Sequence, residues 1–309
     1  MNLTAKHRLT GAIVPIVTPR AADGGLDESA VDRLTELLAE CGHGVFVLGT
    51  TGEGPLVPPA ERRLLVERSV RAARGRVPVL AGISAATPTE AIEAGRRYLS
   101  DGVDAVVALL PGYFPLSTVE MQAYFEAVVD GVGGPVVLYN IPITTHHSVP
   151  VEVVLRLSER RNVIGFKDSE RSEGRMEKVG AALGGRDDFA LLMGVAALSV
   201  SALKHGYCGM VPSSANVWPE RWRDLWEAAL AGRWLEAGDH QRTLDLWGDL
   251  LQKDLSLGGS LAALKLALGT RCLCGPDMWP PLQPLPSAVA DRVKRDLLSV
   301  GAIAFDAAR

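Results

Sequence analysis

"NVIGFKDSE", residues Asn162 to Glu170, is an apolar run that ends in charge. Val163 to Phe166 read as a strand, because a strand buried on both faces of a parallel sheet is a near-continuous apolar run. Lys167 and Asp168 follow with no turn between. In an α/β barrel the carboxyl ends of the strands open onto the pocket, so a lysine at that point is placed for chemistry. The plain alternative is a structural Lys167–Asp168 charge pair at the surface.

Working outward, the same kind of run recurs along the chain. Ala12 to Pro19, Gly44 to Gly49, Val77 to Gly82 and Asp104 to Pro111 precede it among the strand candidates, together with Pro135 to Asn140. Phe189 to Gly194 and Cys208 to Ser213 follow, which with Val163 to Lys167 makes eight. Segments of helical period lie between them. One begins with Asp27 as N-cap; another has Thr87 before Pro88 in its first turn and Gly102 just past its end. Eight strands alternating with helices predict a (β/α)8 TIM barrel over residues 1–216. A doubly wound nucleotide fold needs a glycine-rich phosphate turn after the first strand, and "VTPRAADGG" is not one. Residues 217–309 read as helices packed on the barrel in the same structural unit, since no low-complexity linker separates them. Their tryptophans, Trp222, Trp226, Trp234 and Trp247, read as packing residues.

Composition narrows the class of function. The chain has 309 residues, 47% hydrophobic and 22% charged, which supplies a sizeable core and excludes a disordered chain. A formal net charge of −4, without interleaved aromatic and basic clusters, predicts no nucleic-acid partner. Met1 to Thr10 lack an apolar leader segment and the apolar runs are strand-length, so no membrane association and a cytoplasmic location are expected. Cys41, Cys208, Cys272 and Cys274 form no CxxC pair and read as reduced thiols; no cofactor and no metal are called for.

Polar residues gather at the strand ends. After the second strand, "GTTGEG" offers Gly49, Thr50, Thr51 and Gly52: amides freed by glycine plus two hydroxyls make a cradle for a carboxylate, or else a simple glycine-rich turn. Tyr139 ends the fifth strand, where it can relay a proton or merely pack. Tyr113 follows the fourth strand at the same rim. In an apolar barrel mouth the charged form of Lys167 is disfavoured, and the free amine can form a Schiff base with a ketone.

"GTTGEGP", "YNIP" and "GFKDSE", on the second, fifth and sixth strands, together resemble the dihydrodipicolinate synthase and N-acetylneuraminate lyase family of class I aldolases. "VTP", "AGIS", "DGVDAV" and "SSAN" extend the resemblance over most of the barrel. It implies that Lys167 forms a Schiff base with pyruvate or another 2-oxo acid, whose partner is an aldehyde. It also implies that Thr50 and Thr51 hold the pyruvyl carboxylate, that Thr51 bonds Tyr139, and that Tyr139 is the general acid/base. Tyr113 would complete the relay from a neighbouring subunit, so a homo-oligomer, dimer or tetramer, is implied. Val211 would offer its carbonyl to the site.

One departure bears on the substrate. Members that make dihydrodipicolinate carry an arginine two residues after the "YNxP" proline; Thr144 stands there, and a hydroxyl cannot replace a bidentate cation. Thr144, Thr145, His146 and His147 should instead face the distal part of the substrate, suiting a hydroxylated chain such as a 2-keto-3-deoxy sugar acid. The His146–His147 pair lacks a carboxylate at metal-ligand spacing. Dihydrodipicolinate synthesis with the arginine supplied from elsewhere, and a catalytically silent barrel that binds a 2-oxo acid, stay open as alternatives.

Overall fold

The computed structural model describes residues 9–303. Most of the amino-terminal stretch read as lacking a leader, residues 1–8, and residues 304–309 of the helical segment lie outside the described residues. Strands β1 (Gly11–Pro15), β2 (Gly44–Val47), β3 (Val79–Gly82) and β4 (Ala105–Leu109) come first. They are joined by β5 (Val136–Asn140), β6 (Val163–Asp168), β7 (Ala190–Met193) and β8 (Gly209–Met210) in one closed parallel barrel, each strand beside the next in chain order. Gly11 opposite Gly209 closes the seam between β1 and β8. This is the (β/α)8 barrel that the alternating runs predicted, with the expected strands shifted or trimmed at their ends. The reasons are local: past Pro15 the Val17 N–H turns to the Asn216 side chain at 3.1 Å, and past Val211 the chain meets Pro212, which has no N–H to give a ladder.

The helices of the barrel are α1 (Glu28–Glu40), α2 (Pro59–Ala73), α3 (Pro88–Ser100), α4 (Thr118–Val132), the single turn α5 (Pro142–Thr145), α6 (Val151–Leu157), α7 (Glu173–Leu183) and α8 (Ser199–Lys204). Their starts follow the sequence: Asp27 caps α1 by accepting from Ala30 N, and Thr87 and Glu90 form a reciprocal capping box on α3. Gly102 sits just beyond α3 at φ +100°, where a side chain would be strained. Pleating divides the core in two. Ile13, Phe46, Val107, Val137, Tyr139 and Leu192 fill the barrel, whereas Val136, Leu138 and Phe166 face outward to the helices.

Four more helices follow: α9 (Pro219–Leu230), α10 (Trp234–Leu250), α11 (Leu257–Gly269) and α12 (Ser287–Ser299). Trp222 is fully buried and donates to Ser214 Oγ at 3.1 Å; Trp247 packs on Trp218 with ring centroids 5.1 Å apart. Trp226 lies over the seam glycine Gly11, 3.3 Å from where a Cβ would stand. Trp234 departs from the packing role expected of it: it opens α10 at the surface, 36% exposed, with Lys204 Nζ 5.6 Å from its ring. Among the described residues no helix is long and apolar enough to cross a membrane. The four cysteines are free, Cys272 exposed and the others buried.

His43 ties the start of β2 to the helical segment, its Nε2 donating to the Pro219 carbonyl at 2.8 Å at the head of α9. Burial, with Arg223 adding to it, pushes this imidazole below its ordinary 6.5, although the Pro219 bond and Glu220 pull the other way. A depressed histidine stays neutral in the folded chain while the unfolded chain takes up a proton. Stability is therefore present above about 6.5 and is lost as pH falls from there toward the lower folded value. We expect the melting temperature of the wild-type chain to fall more steeply between about pH 7.5 and about pH 5 than that of His43→Gln, which keeps a neutral donor. Equal slopes would remove His43 from the acid response.

Candidate active site

The β5–β6 register sets Tyr139 opposite Lys167 and Asn140 opposite Asp168, which accounts for the sequence spacing of the pair. Pleating then sorts these residues. Phe166 faces the helices, and Lys167 is turned into the barrel, where it is only 5% exposed. Its Nζ lies 3.9 Å from the centroid of the Tyr139 ring and 4.9 Å from that of Phe46. The surface Lys167–Asp168 pair is excluded: both residues are buried, and Asp168 takes its cation from Arg175 at 2.7 Å. Among the described residues Lys167 has no ion pair.

The carboxylate of Asp168 also accepts from Asn140 Nδ2 at 2.8 Å. Asn140 in turn reaches Glu170 at 3.0 Å and accepts from Val149 N at 3.0 Å, and Arg175 donates to the Val149 carbonyl at 2.8 Å. Thus the carboxyl ends of β5 and β6, each one residue beyond Tyr139 and Lys167, are bolted to one another and to the chain leading into α6. Sequence reasoning missed this network. Asn140 stands in "YNIP" and Asp168 in "KDSE", but the partner Arg175 is seven residues on, in α7.

The "GTTGEG" loop leaves β2 by a sharp reversal. Leu48, at φ +59°, and Glu53, at φ +53°, both take the left-handed conformation. Leu48 directs its carbonyl against Gly54 and Gly82, where any Cβ would collide with it. The Glu53 and Gly54 amides close the loop on Thr50 and Gly49 carbonyls, both at 3.1 Å, while no hydrogen bond of the described residues uses the Thr50 or Thr51 N–H. Two backbone donors and two hydroxyls near an amine suit the carboxylate of a small oxo acid.

Lys167, Tyr139, Thr50, Thr51 and Val211 line one cavity of about 350 Å³. Five other residues of the expected site fall elsewhere. Gly49, Tyr113 and Thr144 line a second, larger cavity of about 1050 Å³ that shares Thr50 with the first. Tyr113 is 87% exposed and packs edge-on against Phe114, so within one chain it does not reach Lys167. The segment after β5 is the helical turn α5, and Thr144 and Thr145 spend their hydroxyls on the Ile141 carbonyl at 3.4 and 3.0 Å rather than facing a substrate. His146 is exposed at φ +61°, whereas His147 is buried with Nε2 3.0 Å from the Phe114 carbonyl, so the two rings are parted. Gly52 lines neither cavity; its carbonyl accepts from Thr18 Oγ1 at 2.5 Å. The Thr51–Tyr139 hydroxyl bond is not among the hydrogen bonds of the described residues. Among those residues no cluster of three or more His, Cys, Asp or Glu could hold a metal ion.

Comparison with known proteins covers nearly the whole chain. The model of the dihydrodipicolinate synthetase family matches residues 8–299. A 4-hydroxy-tetrahydrodipicolinate synthase of Methylobacterium radiotolerans is 36% identical over 264 residues, 84% of this chain and 85% of the relative. A dihydrodipicolinate synthase structure from Bacteroides thetaiotaomicron superposes with a TM-score of 0.89 at 30% identity, covering 97% of this chain and all of that one (100%). YagE of Escherichia coli K12, a prophage protein of the dihydrodipicolinic acid synthase family solved with pyruvate, superposes at 0.88 with 28% identity, over 94% and 98% of the two chains.

The Asp168–Arg175 pair generates a test of the scaffold beneath the site. Arg175→Met leaves a buried carboxylate without its cation and should cost about 3–5 kcal/mol in urea unfolding. Adding Asp168→Asn, which removes the stranded charge, should return part of that loss; no recovery would mean that Arg175 acts through packing on Phe166 instead.

Proposed function

This chain belongs to the dihydrodipicolinate synthetase family of class I Schiff-base lyases, and we propose that it makes or breaks a carbon–carbon bond between pyruvate and an aldehyde through Lys167. The observation that carries this reading is a buried lysine without a counter-ion among the described residues, stacked on a tyrosine ring, in a cavity that the Thr50–Thr51 turn also lines.

Lys167 Nζ adds to the C2 carbonyl of pyruvate, and loss of water gives an iminium. The iminium withdraws electrons, so C3 loses a proton and becomes an enamine, which attacks the aldehyde carbon. The aldehyde oxygen takes a proton as the new bond forms, and water returns at C2 to free the lysine. Cleavage of a 2-oxo acid with a hydroxyl at C4 runs the same steps backward. Tyr139, beside Lys167 in the register, is the proposed acid and base for these transfers, and Thr51 its partner. The Thr50 and Thr51 amides and hydroxyls would hold the carboxylate, and the Val211 carbonyl would face the same space. Tyr113, exposed with Phe114 on one rim, would serve a second copy of the chain in a dimer or tetramer. Four free cysteines suit a cytoplasmic setting.

For the aldehyde we favour a hydroxylated chain, as in a 2-keto-3-deoxy sugar acid, because Thr144 supplies no guanidinium. A second reading, 4-hydroxy-tetrahydrodipicolinate synthesis, is supported by the name of the Methylobacterium relative and by Arg171, the one cation other than Lys167 among the residues lining the Lys167 cavity. Arg171 follows β6 and could take the second carboxylate.

The deciding measurement is intact-protein mass after incubation with pyruvate and borohydride. A pyruvyl adduct should form on the wild type and be absent from Lys167→Ala; an unmodified wild type would leave a silent binding barrel. Tyr139→Phe should still trap pyruvate but turn over about 10²–10⁴-fold more slowly. With an adduct in hand, an aldehyde panel separates the two substrate readings. Turnover of aspartate semialdehyde that disappears in Arg171→Leu supports the second, and turnover of hydroxylated aldehydes unaffected by that change supports the first.

A further inference from the structure

The carboxyl end of the barrel is closed partly by α11, and Lys265 is the one charged residue on that helix. Its side chain is 0% exposed. Nζ lies 2.7 Å from Glu53 Oε1 and donates to the carbonyls of Thr18 at 2.9 Å and Asp277 at 2.7 Å. Glu53 is equally buried, and its other oxygen accepts from Trp279 N at 2.8 Å. The Thr18 carbonyl also accepts from Trp279 Nε1 at 3.1 Å, and Thr18 Oγ1 donates to the carbonyl of Gly52. Three other segments of the chain thus converge on the residues just after Thr50 and Thr51. The same helix supplies Leu261 and Leu264 to the wall of the Lys167 cavity.

A buried ion pair is a poor way to gain stability, because desolvating two charges consumes most of their attraction; an apolar pair of like volume does as well or better. What it does supply is geometry. Here the pair and the Trp279 N–H hold Glu53, two residues from Thr51 and in a left-handed conformation. We propose that Lys265 is a positioning residue: through Glu53 it sets the Thr50–Thr51 turn at the distance from Lys167 that a 2-oxo acid carboxylate requires, without itself touching substrate. This rests on the Schiff-base reading of Lys167.

The test compares wild type, Lys265→Arg and the double variant Glu53→Gln/Lys265→Met, which leaves no buried charge stranded. Two quantities are read: melting temperature, and the pyruvate concentration giving half-maximal borohydride trapping. The double variant should melt near the wild type and be trapped fully at saturating pyruvate, with its half-saturating concentration raised about tenfold, the loss of one charge-assisted contact. Lys265→Arg keeps the charge but cannot aim three donors as an ammonium does, and should show a smaller rise, about threefold. A double variant with wild-type half-saturation would overturn the proposal and leave the pair a purely structural element. Should the double variant not fold, a folded Lys265→Arg with unshifted half-saturation would overturn it equally. Absence of trapping in the wild type would fell the Schiff-base reading and this proposal with it, whereas a trapped wild type beside unshifted variants fells only the positioning role.

Discussion

In a closed parallel barrel every strand residue points either into the barrel or out to the helices, and closure removes any third choice. On that constraint the rest of the molecule depends. In β6 it sends Phe166 outward and Lys167 inward, so a lysine on an otherwise apolar strand ends up at the mouth of the barrel. In β5 it does the same for Leu138 and Tyr139, and the register between the two strands brings the ammonium onto the phenol ring. A slip of one residue in either strand would turn one of the pair out among the helices.

Strand ends are held by polar side chains that replace ladder bonds where the strands stop. Asn216 does this for β1: its amide donates to the Pro15 and Ser213 carbonyls at 2.9 and 2.8 Å and its oxygen takes the Val17 N–H. Asn140 and Asp168 do it for β5 and β6, and Glu53 for the turn after β2. Each sits beneath a residue of the candidate site rather than in it. Their common feature is that each draws at least one partner from a distant part of the chain, which helps a buried polar group to be tolerated. Rigidity at the site comes from these groups, since the apolar core beneath them has no directional preference.

The two cavities divide the polar rim. The Lys167 cavity is small enough for a short oxo acid with an extension toward Arg171 and α10, while Thr144 and Tyr113 belong to the larger neighbouring cleft. Thr50 touches both. Tyr113 and Phe114 stand out from the chain with their rings mostly exposed, an arrangement that costs solvation and suits a surface covered by another molecule. On the proposed reading, what binds in the larger cleft and what happens at Lys167 share the Thr50–Thr51 turn as their common wall.

Much of this was legible in the sequence. Eight apolar runs, their spacing, the caps at Asp27 and Thr87 and the charge ending "VIGFK" are local properties, and short-range physics fixes them: burial selects apolar strands, and orphan amides select capping side chains. The same locality exposed Lys167, Tyr139 and the "GTTGEG" turn as residues out of place in their surroundings. What the sequence could not supply is pairing across distance. Lys265 drew no notice in the sequence, and its partner Glu53 lies 212 positions earlier by subtraction of the two numbers. Arg175 finds Asp168 only after a helix turns back on its strand, and Thr144 lines the larger cleft with its hydroxyl turned back on the Ile141 carbonyl in α5. Composition and period decide which residues are buried. Which buried groups meet is decided by the closure of the barrel, because a hydrogen bond or an ion pair acts over about 3 Å and carries no trace of itself along the chain.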